Sequence, residues 1–253
     1  MGKTKSQIVK SDKFVDIGTH KLRVILSDIP SKYTIVLEAG GGKYSESYQE
    51  IQDTLATLTG IRVMSYDRSG YGQSELGPEK FNAMDEMKAL KKCLEIQGFK
   101  DNFILVGLSY GGFLNQVFTS LYPELVSGLV LIDPMNVCFV DRFGLDNLNA
   151  AQPYFQNPTE NYEKAVNRMV DLLPEALETM RGKELPNHIP VILITSGNPP
   201  FPDIWRKCHE EMVMNSDIHK LLIAEGNNHD IVEENPKLVL NTIIELINRI
   251  KSE

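Results

Sequence analysis

The stretch Phe103-Ile104-Leu105-Val106-Gly107-Leu108-Ser109-Tyr110-Gly111-Gly112-Phe113-Leu114-Asn115-Gln116-Val117-Phe118 decides the fold. An apolar run, Phe103 to Val106, leads into a G-x-S-x-G sequence centred on Ser109, and a helical pattern follows at once. A strand that enters a helix through so tight a turn forces its middle residue into a strained backbone conformation. Gly107 and Gly111 lack a Cβ, so the two backbones can pass close together. Ser109 is then lifted off the strand end with its hydroxyl exposed, the geometry of a nucleophile elbow.

A serine hydroxyl is a weak nucleophile at neutral pH and needs a base. The chain has five histidines. His20 falls in an early hairpin, His188 and His219 precede apolar runs, and His209 sits in a helical stretch. His229 alone follows a late strand, in the loop Glu225-Gly226-Asn227-Asn228-His229-Asp230. Catalytic loops of an α/β sheet lie at the carboxyl ends of its strands, which puts His229 at the same end as Ser109.

With these residues in order, the chain resembles a serine hydrolase of the α/β-hydrolase fold, in which the triad runs Ser, acid, His. Tyr33 to Gly42 is similar to that fold's third strand and oxyanion loop. Asp67-Arg68-Ser69-Gly70-Tyr71-Gly72-Gln73-Ser74 resembles the D-R-x-G-x-G-x-S segment after the fourth strand. The resemblance covers nearly the whole chain. It implies a mostly parallel eight-stranded sheet with helices on both faces, a small helical cap inserted at about 136–187, and no cofactor.

Most relatives carry the acid after the seventh strand, here Val191 to Ser196, but Gly197-Asn198-Pro199-Pro200 holds no carboxylate. Asp133 is the expected acid and Asp203 the alternative. Asp133 ends the sixth strand, Leu129 to Ile132, where some relatives place the acid, and Asp203 lies beyond the proline-rich turn. The oxyanion donors implied are the backbone amides of Tyr110 and of Gly41, in the loop Glu38-Ala39-Gly40-Gly41-Gly42, where Ala39 replaces the family's His. Glu38 ends one strand and Arg68 follows its neighbour, so pairing of the two would steady that loop.

Length and composition agree with a single globular domain over residues 1–253, and the net charge of −8 disfavours nucleic acid and anionic membranes as partners. No apolar run approaches the ~20 residues that span a bilayer. Met1 to Gln7 is basic and polar with no apolar segment behind it, so no signal peptide is expected, and Cys93, Cys138 and Cys208 fit free thiols of a reducing, cytoplasmic compartment. No His, Cys or Asp cluster has metal-ligand spacing. An antiparallel hairpin, Phe14 to Ile17 with Leu22 to Leu26, opens the chain, and the later strands are nearly all apolar.

Between Asp133 and Pro190 no segment forms a strand pattern. Asn157-Pro158-Thr159-Glu160 predicts a helix start, Pro174 predicts its end or a kink, and Glu175 to Met180 predicts another helix. Phe139, Phe143, Tyr154 and Phe155 would pack this cap or line a substrate pocket. The expected function is hydrolysis of a small-molecule acyl substrate, an ester, thioester or lactone. The alternatives are an aminopeptidase with cap carboxylates among Glu160, Glu163, Asp171 and Glu175, a carbon–carbon bond hydrolase, or a non-catalytic binding member of the fold.

Overall fold

The computed structural model describes residues 8–201 and 203–252; the leader reading of Met1 to Gln7 lies outside them. Eight strands form one sheet: β1 (Val9–Asp16), β2 (Lys21–Asp28), β3 (Thr34–Glu38), β4 (Arg62–Tyr66), β5 (Phe103–Leu108), β6 (Val126–Ile132), β7 (Val191–Ser196) and β8 (His219–Ala224). Their order is β1-β2-β4-β3-β5-β6-β7-β8. The hairpin β1–β2 is antiparallel, and β2 also meets β4 antiparallel. Every pairing from β4 through β8 is parallel.

The central strands are apolar throughout because both faces of the sheet are covered. Val36, Leu105, Leu129, Leu131 and Leu193 face one core, with Phe113 and Val117 of α3 (Tyr110–Leu121) and Leu90 of α2 (Ala83–Ile96). Their alternating neighbours Ile35, Ile104, Val106, Val130 and Ile192 face the other. There they meet Ile51 and Leu55 of α1 (Gln49–Thr59), Ile231 and Val232 of the short α8 (Ile231–Glu234), and Ile243 and Leu246 of α9 (Pro236–Ser252).

Three helices fill the segment between β6 and β7: α4 (Val137–Phe143), α5 (Leu145–Ala150) and α6 (Asn161–Met180). Two expectations need correction here. The long helix starts at Asn161, three residues after Pro158, and Glu163 accepts the backbone N–H groups of Thr159 and Glu160 at 2.7 and 3.1 Å. Nor does it end at Pro174: the helix expected at Glu175 to Met180 is its continuation, since the buried face Val166, Met169, Val170, Leu173, Ala176, Leu177 and Met180 continues on both sides of the proline. Apolar burial along that face outweighs the roughly 3 kcal/mol an interior proline costs. Arg168 fastens α6 to the loop after β4, donating to the carbonyls of Ser69, Leu76 and Pro78 at 2.8, 2.8 and 2.9 Å.

The cysteines also depart from expectation. Cys138 on α4 and Cys208 on α7 (Ile204–Val213) form a disulfide, with Cα atoms 5.7 Å apart, while Cys93 is free and buried. The partners stand 70 residues apart, and only the packing of α4 on α7 brings them together. The free-thiol reading holds for Cys93 and is corrected for Cys138 and Cys208. Among the described residues no helix is long and apolar enough to cross a membrane.

Candidate active site

Ser109 stands between β5 and α3 with φ 54° and ψ −118°, a conformation that non-glycine residues rarely adopt. The glycines around it act as the sequence requires. A Cβ on Gly107 would fall 2.6 Å from the backbone of Gly111, and one on Gly111 would strike the carbonyls of Glu38 and Ala39. The elbow therefore packs directly against the loop after β3. A Cβ on Gly41 would lie 3.6 Å from the Cβ of Tyr110, so the two expected oxyanion donors are side by side. Neither backbone N–H donates to another protein group among the described residues.

Asp133, at the end of β6, is fully buried and likewise holds a positive φ, 42°. Its Oδ2 accepts from His229 Nδ1 at 2.7 Å and from the Ser196 hydroxyl at 2.8 Å. Its Oδ1 accepts from the Ser196 amide at 2.8 Å and the Trp205 indole N–H at 2.9 Å. Burial pushes this carboxyl up, but the His229 bond, the neighbouring imidazoles and the Ser196 amide outweigh it and hold it below the ordinary aspartate range. Asp203, the other candidate, is exposed just ahead of α7 and makes no hydrogen bond to His229 among the described residues.

His209, which the sequence left as an ordinary helix residue, is buried beside Asp133, with Nδ1 3.8 Å from Oδ1. Burial lowers its pKa to about 4, so it is neutral. Its Nε2 lies 2.8 Å from the Pro134 carbonyl and must carry the proton, so Nδ1 accepts the Thr195 hydroxyl at 2.9 Å.

Arg68 and Glu38 pair as expected, 2.8 Å apart and both buried. The same guanidinium donates to the carbonyls of Ala39 and Gly40 at 2.5 and 2.7 Å, the residues leading into Gly41, and to Lys43 at 3.3 Å. Tyr66 donates its hydroxyl to the second carboxylate oxygen. The glycine loop is thus held by its own carbonyls rather than by a side chain at position 39.

Ser109 and His229 line one cavity of about 270 Å³, together with Gly41 and Tyr110. Its walls are Met135, Leu148, Met169, Val170, Leu173, Phe201 and Trp205, mostly from the segment between β6 and β7 and from the start of α7. Lys43 and Asp230 stand at the same cavity, paired at 2.8 Å. The Ser109 hydroxyl makes no hydrogen bond to His229 among the described residues; such bonds are often long until substrate is bound.

The aromatic residues expected at a pocket lie elsewhere, which corrects that reading. Phe139 stacks on Phe143 at 4.9 Å and meets Trp205 edge-on at 4.5 Å, behind the cavity wall. Tyr154 and Phe155 line a separate open groove with Leu76 and Arg168. The true wall residues, Met169, Val170, Leu173 and Trp205, lay in helical patterns whose inward face the sequence leaves undetermined. Ser196 and Trp205 left one signal: they flank the position after β7 where an acid was missing. Among the described residues no three His, Cys, Asp or Glu side chains gather as metal ligands.

Comparison with known proteins agrees with this architecture. A curated relative, the uncharacterized protein YqjL of Bacillus subtilis, is 22% identical over 219 residues, which take in 83% of this chain and 81% of that protein. The proline iminopeptidase of Lactobacillus helveticus is 32% identical over 114 residues, only 42% of this chain and 37% of that enzyme. Among solved structures, carboxylesterase CesB (YbfK) from Bacillus subtilis superposes with a TM-score of 0.67 at 15% identity, covering 96% of this chain and 93% of that one. A mutant of the Vigna radiata epoxide hydrolase gives 0.71 at 13% identity, covering 95% and 99%. At such identities the likeness is one of fold. The model of the alpha/beta hydrolase fold family matches residues 33–196, from the start of β3 to the end of β7, and the chain belongs to that family.

Proposed function

We propose that the protein is a serine hydrolase that cleaves a small-molecule carboxylic ester, thioester or lactone through an acyl-enzyme. The observation that carries this reading is the 2.7 Å bond from His229 Nδ1 to Asp133, with His229 and Ser109 on one cavity. A carboxylate can only accept, so Nδ1 carries the proton and Nε2 is left as the base. Nε2 takes the Ser109 proton as the oxygen attacks the acyl carbon, then returns it to the leaving group. Water, activated by the same nitrogen, releases the acid. The Gly41 and Tyr110 amides receive the oxyanion, each worth roughly 2.7–4 kcal/mol in comparable sites.

At about 270 Å³ the cavity lies just below the usual ligand range of roughly 300–1,000 Å³ and favours a small apolar acyl group. An aminopeptidase needs a carboxylate to hold the substrate amine. Asp230 in the cavity is paired with Lys43, Asp171 is bonded to Tyr154, Glu175 accepts from Asn82 and Glu163 caps α6. The iminopeptidase relatives make this the comparison to run. Assay of p-nitrophenyl esters of graded acyl length beside proline and alanine amides should give ester turnover with an optimum at short to medium chains. Turnover confined to the amides would replace this reading with the peptidase one.

A further inference from the structure

We propose that Trp205 and Ser196 are positioning residues that fix the Asp133 carboxylate so that Oδ2 faces His229. The catalytic consequence rests on the serine-hydrolase reading above; the structural claim does not.

A carboxylate offers about four lone-pair sites, two on each oxygen. All four are filled here: Oδ1 by the Ser196 amide and the Trp205 indole, Oδ2 by the Ser196 hydroxyl and His229. Thr195 does not compete, although its oxygen is 3.4 Å from Oδ1, because its single proton goes to His209. The Trp205 donor and the Ser196 hydroxyl hold the plane of the carboxylate, and only one orientation leaves Oδ2 facing His229. These donors come from the end of β7 and the start of α7, next to the Gly197-Asn198-Pro199-Pro200 turn that holds no acid. What the acid loses by sitting on β6, it regains as a cradle of donors from β7 and α7.

Trp205 is the single tryptophan of the chain, and its ring is 1% exposed, wedged between Phe139 and Phe201 with both centroids at 4.5 Å. Its ring is 5.8 Å from that of His229. The ionisable groups facing Asp133 are His229 from the loop after β8 and His209 from α7.

Because no other tryptophan exists, biosynthetic replacement by benzothienylalanine changes Trp205 alone, keeping its shape and exchanging the N–H for sulfur. Ser196→Ala is the second variant and leaves the cavity wall untouched. Two readouts apply. In proton NMR the His229 Nδ1–H, bonded to Asp133 at 2.7 Å, should give a low-field resonance in the wild type that shifts or broadens in both variants. In turnover, kcat should fall about 10- to 100-fold, the usual range for a hydrogen bond to a charged group. KM should stay within about twofold. The acidic limb of kcat/KM should move to higher pH, because the carboxylate then bears more uncompensated charge against the imidazole. An unmoved resonance with unchanged kcat and pH profile in both variants overturns the proposal. If the wild type turns over no ester, the hydrolase reading falls, and the NMR signal alone decides this one.

Discussion

At the residue scale the centre is a set of short contacts whose members bear separable roles. Ser109→Ala should fold normally and lose at least about three orders of magnitude in turnover, measured on whichever ester the wild type prefers. Asp133→Asn should cost a comparable factor, since an amide facing Nδ1 favours the wrong tautomer, while Asp203→Asn should stay within about twofold. The opposite ranking would move the acid to Asp203. Ser109 and His229 were legible in sequence because the elbow is a local motif and a loop histidine after a late strand has one address. The preference for Asp133 over Asp203 was legible from its place at the end of β6, and the structure sets its carboxylate against His229, although sequence alone does not show which strand end His229 leans over. The four aromatic residues failed as pocket candidates for the same reason: spacing gives a side chain's neighbours on its own helix and not the face turned to the cavity.

At the element scale the loop after β3 depends on a cation from the loop after β4. Arg68 ties three carbonyls around Gly41 and carries the only charge within bonding distance of Glu38 among the described residues. Breaking a buried pair leaves its partner uncompensated, at about 3–5 kcal/mol. Arg68→Ala should therefore lower stability in denaturant and reduce kcat by misplacing the Gly41 amide, while a small phosphonate still labels Ser109. Arg68→Lys, which keeps the charge without the fork, should recover stability more than kcat. Equal recovery of both would mean that the loop needs only a charge. The strands were legible from their apolar runs. The continuity of α6 through Pro174 was not, since a local breaker was overruled by a buried face that only the folded sheet supplies.

At the scale of the whole molecule, two features set stability. The Cys138–Cys208 bridge closes a 70-residue separation, which in a chain-entropy account is worth up to about 4 kcal/mol. Cys138→Ser should lower the denaturation midpoint, and a reductant should lower that of the wild type but not of the variant. The second is Glu86 of α2, buried with Oε2 in no hydrogen bond among the described residues and 3.8 Å from Arg68 Nε. Burial raises its carboxyl from 4.5 to about 7. The native state thus binds this proton more tightly than the unfolded chain, and stability falls as pH rises across that window. Glu86→Gln should be more stable than the wild type at pH 8, by on the order of 3 kcal/mol, and the gap should close below pH 5. A gap independent of pH would assign the cost to packing. Neither feature was readable in sequence, because both join residues that only the three-dimensional packing brings into contact.

The central claim is that Ser109 is a nucleophile activated through His229. A fluorophosphonate probe followed by peptide mass mapping tests it most directly. The account predicts one adduct per chain, on the peptide carrying Ser109, absent in Ser109→Ala and formed much more slowly in His229→Ala. No adduct on the folded wild type, or an adduct on a different serine, would contradict it.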